Sequence, residues 1–311
     1  MIRTLRATYY FLRLGRPLFL VGGFALHGLG IVMALWTGAN LDPLALLWGQ
    51  IAITAVQIMT HYSNDYFDLA ADAANTTPTR WSGGSRILAE GLLPPQVGLI
   101  TAVVSGFIAL LATLILALVV QTGPLTVPLL MLAIILAWSY SSPPLLLNMR
   151  GLGEVTGAIL ITGLTPLVGF YLQTGQLTRL PFLAVFPLAC LQVAMLLIIN
   201  FPDAQGDAIA GKRTLLHILG PQRAVRLFLL VVAMAYLSLP VLTALGLPQL
   251  VAFSLLLPAP LALWQSWRMA RGAWKEPAHW NSLGFWGVGL LMGSVGLELG
   301  AFLLLLFLDS A

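Results

Sequence analysis

Charged residues are scarce in this chain. Asp, Glu, Lys and Arg make up 8% of its 311 residues, against 59% hydrophobic. Soluble domains carry roughly a quarter charged residues, so composition alone excludes an ordinary soluble domain. Cysteine is scarcer still: a single Cys190 rules out an internal disulfide and a cysteine-based metal centre, and its apolar flanks read as packing. The four histidines, His27, His61, His217 and His279, are scattered and match no metal-ligand spacing. There is no P-loop, dinucleotide fingerprint or serine-nucleophile motif. Low-complexity linkers and the apolar/polar alternation of membrane β-strands are also lacking. Residues 1–311 therefore read as one transmembrane domain.

Long apolar runs fill the chain instead. A bilayer-crossing helix needs about 20 apolar residues. Such runs fall near 17–37, 44–63, 97–119, 124–141, 153–172, 183–201, 224–243, 247–266 and 283–308. With a mean hydropathy of +0.93, the expectation is an all-α integral membrane protein. Its nine transmembrane helices would form one bundle around a central cavity, within the lipid bilayer. Pro166, Pro240, Pro258 and Pro260 are expected to kink their spans. Gly284, Gly289, Gly293, Gly296 and Gly300 are expected to pack the last span closely against its neighbours.

Charge then orients the bundle. With the N-terminus cytoplasmic, Arg179 is the one basic residue of 15 on the outer side, as the positive-inside rule requires. The net charge of +4 is thus a matter of topology and calls for no nucleic-acid partner. The first apolar run is too long for a signal peptide and reads as a retained helix, which points to the cytoplasmic (inner) membrane.

Five of the 11 acidic residues sit in two short stretches. One runs from Asn64 through Asp65 and Asp68 to Asp72; the other runs from Asn200 through Asp203 to Asp207, followed by Lys212 and Arg213. Asp65, Asp68 and Asp72 fall at i, i+3 and i+7, so on a helix they share one face, and Asn200, Asp203 and Asp207 repeat that spacing. A carboxylate at the bilayer centre costs roughly 3 kcal/mol, so a cluster near it needs a cation or water. Carboxylates and an amide carbonyl suit Mg²⁺, which prefers a few carboxylates plus substrate phosphates. Arg80, Arg86, Lys212 and Arg213 could neutralise the remaining phosphate oxygens.

A metal–diphosphate site at the cytoplasmic mouth of an apolar cavity points to an isoprenoid substrate, its chain among the helices and its diphosphate at the polar end. Tyr62, Tyr66, Phe67, Tyr140 and Tyr171 are candidates to stabilise an allylic cation. A divalent-cation transporter is the rival reading, but it would place its ionisable groups near the bilayer midplane. Only Glu298, which has no role in either reading, lies deep in a span.

These motifs resemble the two signatures of the UbiA superfamily of intramembrane prenyltransferases, a family of nine-helix bundles. The resemblance covers most of the chain. It includes Arg16-Pro17 at the opening of the first span, the loop Ser82-Gly83-Gly84-Ser85-Arg86, and the run from Asn200 to Gly211-Lys212-Arg213-Thr214. Tyr140-Ser141-Ser142-Pro143-Pro144, followed by Arg150-Gly151-Leu152-Gly153-Glu154, is similar to 1,4-dihydroxy-2-naphthoate polyprenyltransferases of menaquinone biosynthesis. The resemblance implies transfer of a polyprenyl group from a diphosphate to an aromatic quinone precursor, with Mg²⁺ on Asp65, Asp68, Asp72, Asp203 and Asp207. It implies that Asn64 and Asn200 orient ligands and that Arg16, Arg80, Arg86, Tyr140, Lys212 and Arg213 contact substrate. Another aromatic or lipid acceptor is the alternative.

Overall fold

The structure is a computed structural model that describes residues 2–310, with side chains described from Leu5 to Asp309. Among the described residues there are helices and turns but no strands. Among the described residues seven helices are long and apolar enough to cross a membrane: Pro17–Trp36, Pro43–Phe67, Pro95–Val120, Gly153–Thr174, Arg179–Ile209, Pro221–Ala244 and Pro277–Asp309. An eighth crossing forms if Gln249–Leu256 and Ala259–Ala270, bent by 44° at their junction, act together. Thr126–Ser141 is apolar but has only 16 residues, about 24 Å of helix against a hydrocarbon core of roughly 30 Å. It stands where the sequence puts a fourth span, so the fold carries seven or eight clear spans.

The prolines interrupt the helices where expected. The 44° bend falls at Leu257–Pro258, Pro240 follows a break at Ser238, and Pro166 follows a π-helical stretch at Ala158–Leu164. Each missing N–H frees a carbonyl and loosens the ladder locally.

Successive helices run up and down, so the loops segregate to two ends. At one end Trp36 Nε1 donates to Asp309 at 2.9 Å, and the Asp42 backbone N–H donates to Gln173 at 2.8 Å. Arg179 lies at this end, beside Gly246. The other end gathers the loops after Phe67, Ser141, Ile209 and Ala270, with the Arg213 N–H on the Met149 carbonyl and Phe201 against Trp274. Both acidic motifs lie at this second end.

Within a membrane, helices associate through close packing rather than hydrophobic expulsion. Small residues supply the approach here: a Cβ on Gly30 would collide with the Pro166 carbonyl, and one on Gly23 with the Gln57 amide. Leu26, Leu29, Phe170, Leu191, Phe228 and Phe302 fill the largest core cluster.

The glycines of the last span depart from expectation, and one helix lies outside the apolar runs. Gly284 does pack closely, under Trp81, but Gly293, Gly296 and Gly300 have nothing within 4 Å of a Cβ, and Gly289 has only Trp286 of its own helix at 4.0 Å. These four lie on the outer face of the last helix, while Leu291, Val295 and Phe302 turn inward. Ahead of the first span, Ile2–Leu14 forms a further helix that hydropathy passes over. It exposes Leu5, Tyr9 and Leu12 beside Arg6 and Arg13, the composition of a helix lying in a membrane interface.

Candidate active site

The first acidic motif straddles a break. The helix Pro43–Phe67 ends at Asp68, and a short helix, Leu69–Ala74, carries on from it. Asp65, Asp68 and Asp72 therefore do not share one uninterrupted helix. Backbone bonds from Asp68 N to Asn64 O (2.8 Å) and from Asp72 N to Asp68 O (2.9 Å) keep them close to the same side. Asn200, Asp203 and Asp207 do share a continuous helix, Arg179–Ile209. Gly206 lets the motifs meet: a Cβ there would come within 2.7 Å of the Ala71 carbonyl and 2.9 Å of Asn75.

The carboxylates of both motifs are shared among protein donors. Asp65, buried, takes an ion pair from Arg16 and hydrogen bonds from the Ser85 hydroxyl and backbone N–H. Asp68, also buried, takes Lys212 Nζ at 2.9 Å, Asn64 Nδ2 at 2.8 Å and Asn148 Nδ2 at 3.0 Å. Lys212 also reaches Asp207 at 3.4 Å, bridging the motifs. Asp203 accepts from Asn75 Nδ2 at 2.8 Å and from the Gly83 N–H at 3.0 Å.

The loop after Leu69–Ala74 thus closes over both motifs. Its Gly83 and Gly84 adopt φ of +77° and +71°, and a Cβ on Gly84 would collide with the Asp72 carboxylate. Only glycine lets the backbone lie so close. Arg86 Nη1 ties the loop down by donating to the Asp72 carbonyl. Arg16 and Arg86 both hold positive φ, 48° and 68°, which costs a non-glycine residue roughly 1–3 kcal/mol and tends to mark functional positions.

The charges perturb one another. Burial, and then the neighbouring charges of Asp65, Asp68 and Asp203, push the Asp72 carboxyl up to about 8 in spite of Arg16. Burial pulls Lys212 down, but Asp68 and Asp207 outweigh it and hold the ammonium above its ordinary value. Arg16 is held up in the same way by Asp65, Asp72 and Asp68.

Not every expected residue joins the cluster. The Arg80 side chain is exposed and lies over the Trp81 ring at 5.6 Å, and the Arg213 side chain is exposed. Asn200 turns away from the carboxylates and donates to Glu154 Oε1 at 2.7 Å. Of the candidate aromatics, Tyr140 lies within electrostatic reach of Asp68 and Lys212. Tyr171 is at the opposite end, its hydroxyl accepting from the Leu125 N–H, and Tyr62 donates to the Phe11 carbonyl. His61 and His217 are satisfied by backbone carbonyls, at Gly15 and Ala204 respectively. Asn75, Ser85, Asn148 and Glu154 are the polar residues that sequence reasoning left without a role. Ser85 and Glu154 had a signal in the sequence, each standing within a stretch that resembles the family; Asn75 and Asn148 had none.

Among the described residues no three His, Cys, Asp or Glu side chains already surround a common point for a metal. The donor set nevertheless fits Mg²⁺. It is all oxygen, and one of its buried acceptors, Asp207 Oδ2, has no hydrogen-bond partner among the described residues. Two apolar grooves, of about 330 and 230 Å³, lie elsewhere, one along Tyr236–Thr243 and Gln249–Leu256, the other between Val103 and Trp138.

Comparison with known proteins bears directly on this arrangement. A model of the UbiA prenyltransferase family matches residues 23–288. The 1,4-dihydroxy-2-naphthoate octaprenyltransferase of Escherichia coli (strain K12) is 30% identical over 259 residues, 81% of this chain and 82% of that protein. The protein of the same name from Bacillus subtilis (strain 168) is 28% identical over 258 residues, 80% of this chain and 79% of that one. Among solved structures, a UbiA homologue from Archaeoglobus fulgidus bound to GPP and Mg²⁺ superposes with a TM-score of 0.63 at 14% identity. The match covers 93% of this chain and 99% of that one. A digeranylgeranylglyceryl phosphate synthase gives a TM-score of 0.62 at 16% identity, covering 98% of each chain.

Proposed function

Since the chain belongs to the UbiA prenyltransferase family, it is an integral membrane prenyltransferase, and we propose that it transfers a polyprenyl group from an allylic diphosphate to 1,4-dihydroxy-2-naphthoate in menaquinone biosynthesis. One observation carries this reading beyond the family: the carboxylates of the two motifs meet at one end of an apolar bundle, with Arg16 on Asp65 and Lys212 bridging Asp68 and Asp207. The octaprenyltransferase relatives supply the acceptor class. The chain would lie with the Arg-rich end of its bundle toward the cytoplasm, in the inner membrane.

Asp65, Asp68, Asp72, Asp203 and Asp207 would hold Mg²⁺, with Asn64 beside Asp68 orienting its carboxylate. Bound there, Mg²⁺ supplies neutralisation of the diphosphate as its negative charge grows. Arg16 and Lys212 then exchange their carboxylate partners for phosphate oxygens, and the loop carrying Ser85 and Arg86 keeps water from the reacting carbon. Arg80 and Arg213, on exposed loops, would draw the diphosphate in from water. The C1–O bond of the chain breaks and the electron pair leaves with the diphosphate. The electron-rich ring attacks C1 beside Tyr140, and for a naphthoate acceptor carbon dioxide leaves from the alkylated carbon. Preorganised charge of this kind is often the largest catalytic contribution.

Membranes containing the protein, given radiolabelled polyprenyl diphosphate, a panel of aromatic acceptors, and either Mg²⁺ or EDTA, test the reading. A Mg²⁺-dependent product with the naphthoate, lost in Asp65→Ala and Asp203→Ala, is expected. Prenylation of a different acceptor would replace the substrate. Metal flux without diphosphate binding would replace the reading with a cation transporter.

A further inference from the structure

Glu154 belongs to neither acidic motif, yet it is 2% exposed in the same corner of the bundle. Its Oε1 is clamped by two donors, Asn200 Nδ2 at 2.7 Å and the Leu215 N–H at 3.1 Å. Its Oε2 is buried with no hydrogen-bond partner among the described residues. A buried carboxylate oxygen left bare is expensive, and nearly all such atoms in folded proteins find a donor. Lys212, within electrostatic reach, spends its ammonium on Asp68 and Asp207. The clamp fixes the carboxylate in orientation, since Asn200 sits on the second-motif helix and Leu215 opens the turn that follows Lys212.

The neighbourhood is acceptor-rich and aromatic. Asn148 Oδ1, another bare buried acceptor, belongs to the residue whose Cα lies 3.1 Å from where a Cβ of Gly153 would stand. The Tyr140 hydroxyl lies 3.6 Å from the same point. Bare acceptors beside a phenol, one residue from Glu154 and joined through Asn148 to Asp68, suit a ligand that brings a hydroxyl donor on an aromatic ring.

We propose that Glu154 is a catalytic residue: Oε2 receives the hydroxyl proton of the aromatic acceptor as the ring attacks the prenyl chain. The proposal rests on the prenyl-transfer reading. The phenolic O–H bond breaks and its proton passes to Oε2, while the oxygen's electrons push through the ring. The new bond forms between the ring carbon and C1 of the chain. The C1–O bond breaks, and its electron pair leaves with the diphosphate. The ring, now a ketone, loses carbon dioxide from the alkylated carbon; the electron pair left behind restores the aromatic ring, and the ring oxygen takes its proton back from Glu154.

The test uses the full-length protein in nanodiscs with polyprenyl diphosphate, Mg²⁺ and the naphthoate, comparing wild type with Glu154→Gln. Glutamine keeps an oxygen for Asn200 and Leu215 but cannot take a proton. General-base removal is expected to lower kcat about 100-fold, with KM for the diphosphate changed less than about threefold. A ring-fluorinated acceptor, whose hydroxyl is more acidic, should recover at least about tenfold of that loss. A purely structural clip predicts turnover within about threefold of wild type, or the same deficit with both acceptors, and either result overturns the proposal. Should the glutamine variant fail to fold, Glu154→Asp carries the test. Turnover well above that of Glu154→Ala supports the carboxylate, and turnover equal to it overturns it. Wild-type protein that prenylates no acceptor would sink the prenyl-transfer reading itself. An unaffected Glu154→Gln alongside active wild type would sink only this step.

Discussion

Replacing Lys212 with methionine removes a cation shared by the two motifs while keeping most of the side-chain volume. Lys212 stands 2.9 Å from Asp68 and 3.4 Å from Asp207, both 5% exposed in their side chains. At an effective dielectric of about 20, each contact carries roughly 5 kcal/mol of attraction before desolvation is subtracted. Stripping one partner from a buried pair typically costs about 3–5 kcal/mol, because the charge left behind has no counterion. Metal-free Lys212→Met should therefore unfold well below wild type in a thermal scan in detergent. Mg²⁺ can supply the missing charge, and in this variant no ammonium competes for Asp68 and Asp207. The variant should regain most of its loss on Mg²⁺ titration, at a lower midpoint than wild type, while prenyl turnover stays low for want of a diphosphate contact. Equal Mg²⁺-induced stabilisation of wild type and variant would refute the idea that lysine and metal share these carboxylates.

Two further outcomes follow from the same geometry. The Asp72 carboxyl, pushed up to about 8, keeps its proton at neutral pH in the metal-free protein. Its folded value lies above the ordinary one, so it costs the fold increasing stability as pH rises from about 4 to about 8. Metal must displace that proton, and the apparent Mg²⁺ affinity should fall up to about tenfold per unit below pH 8, read by titration calorimetry; an affinity flat between pH 6 and 8 would remove Asp72 from the ligand set. Gly84→Ala should lift the loop off Asp72 and lower kcat/KM by about tenfold or more with the helical circular dichroism signal unchanged. Unaltered kinetics would mean that the loop does not close over the site.

Spacing made Asp65, Asp68, Asp203 and Asp207 legible, because a period near 3.6 in an apolar background has few causes. Apolar length did the same for the seven clear spans. Depth of packing was not legible: the last helix carries its glycines at an interface-like spacing, yet Gly293, Gly296 and Gly300 turn outward, since a one-dimensional pattern does not say which face a neighbour covers. Asn75 and Asn148 escaped notice because nothing local marks a loop amide whose partner is 128 or 80 residues away. The break at Asp68 is invisible for a related reason, as no proline or glycine stands there. Arg16 came from family resemblance alone; its ion pair with Asp65 spans 49 residues.

Arg16 also faces two demands that pull against each other. Its backbone, at φ +48°, favours glycine, while its side chain delivers a planar cation to Asp65. Glycine would relax the chain and empty the ion pair. Lysine would keep the charge but not the fork, and any other residue would forfeit both. Mutational drift at this position is closed in every direction, and a library randomised at residue 16 and selected for activity should return arginine.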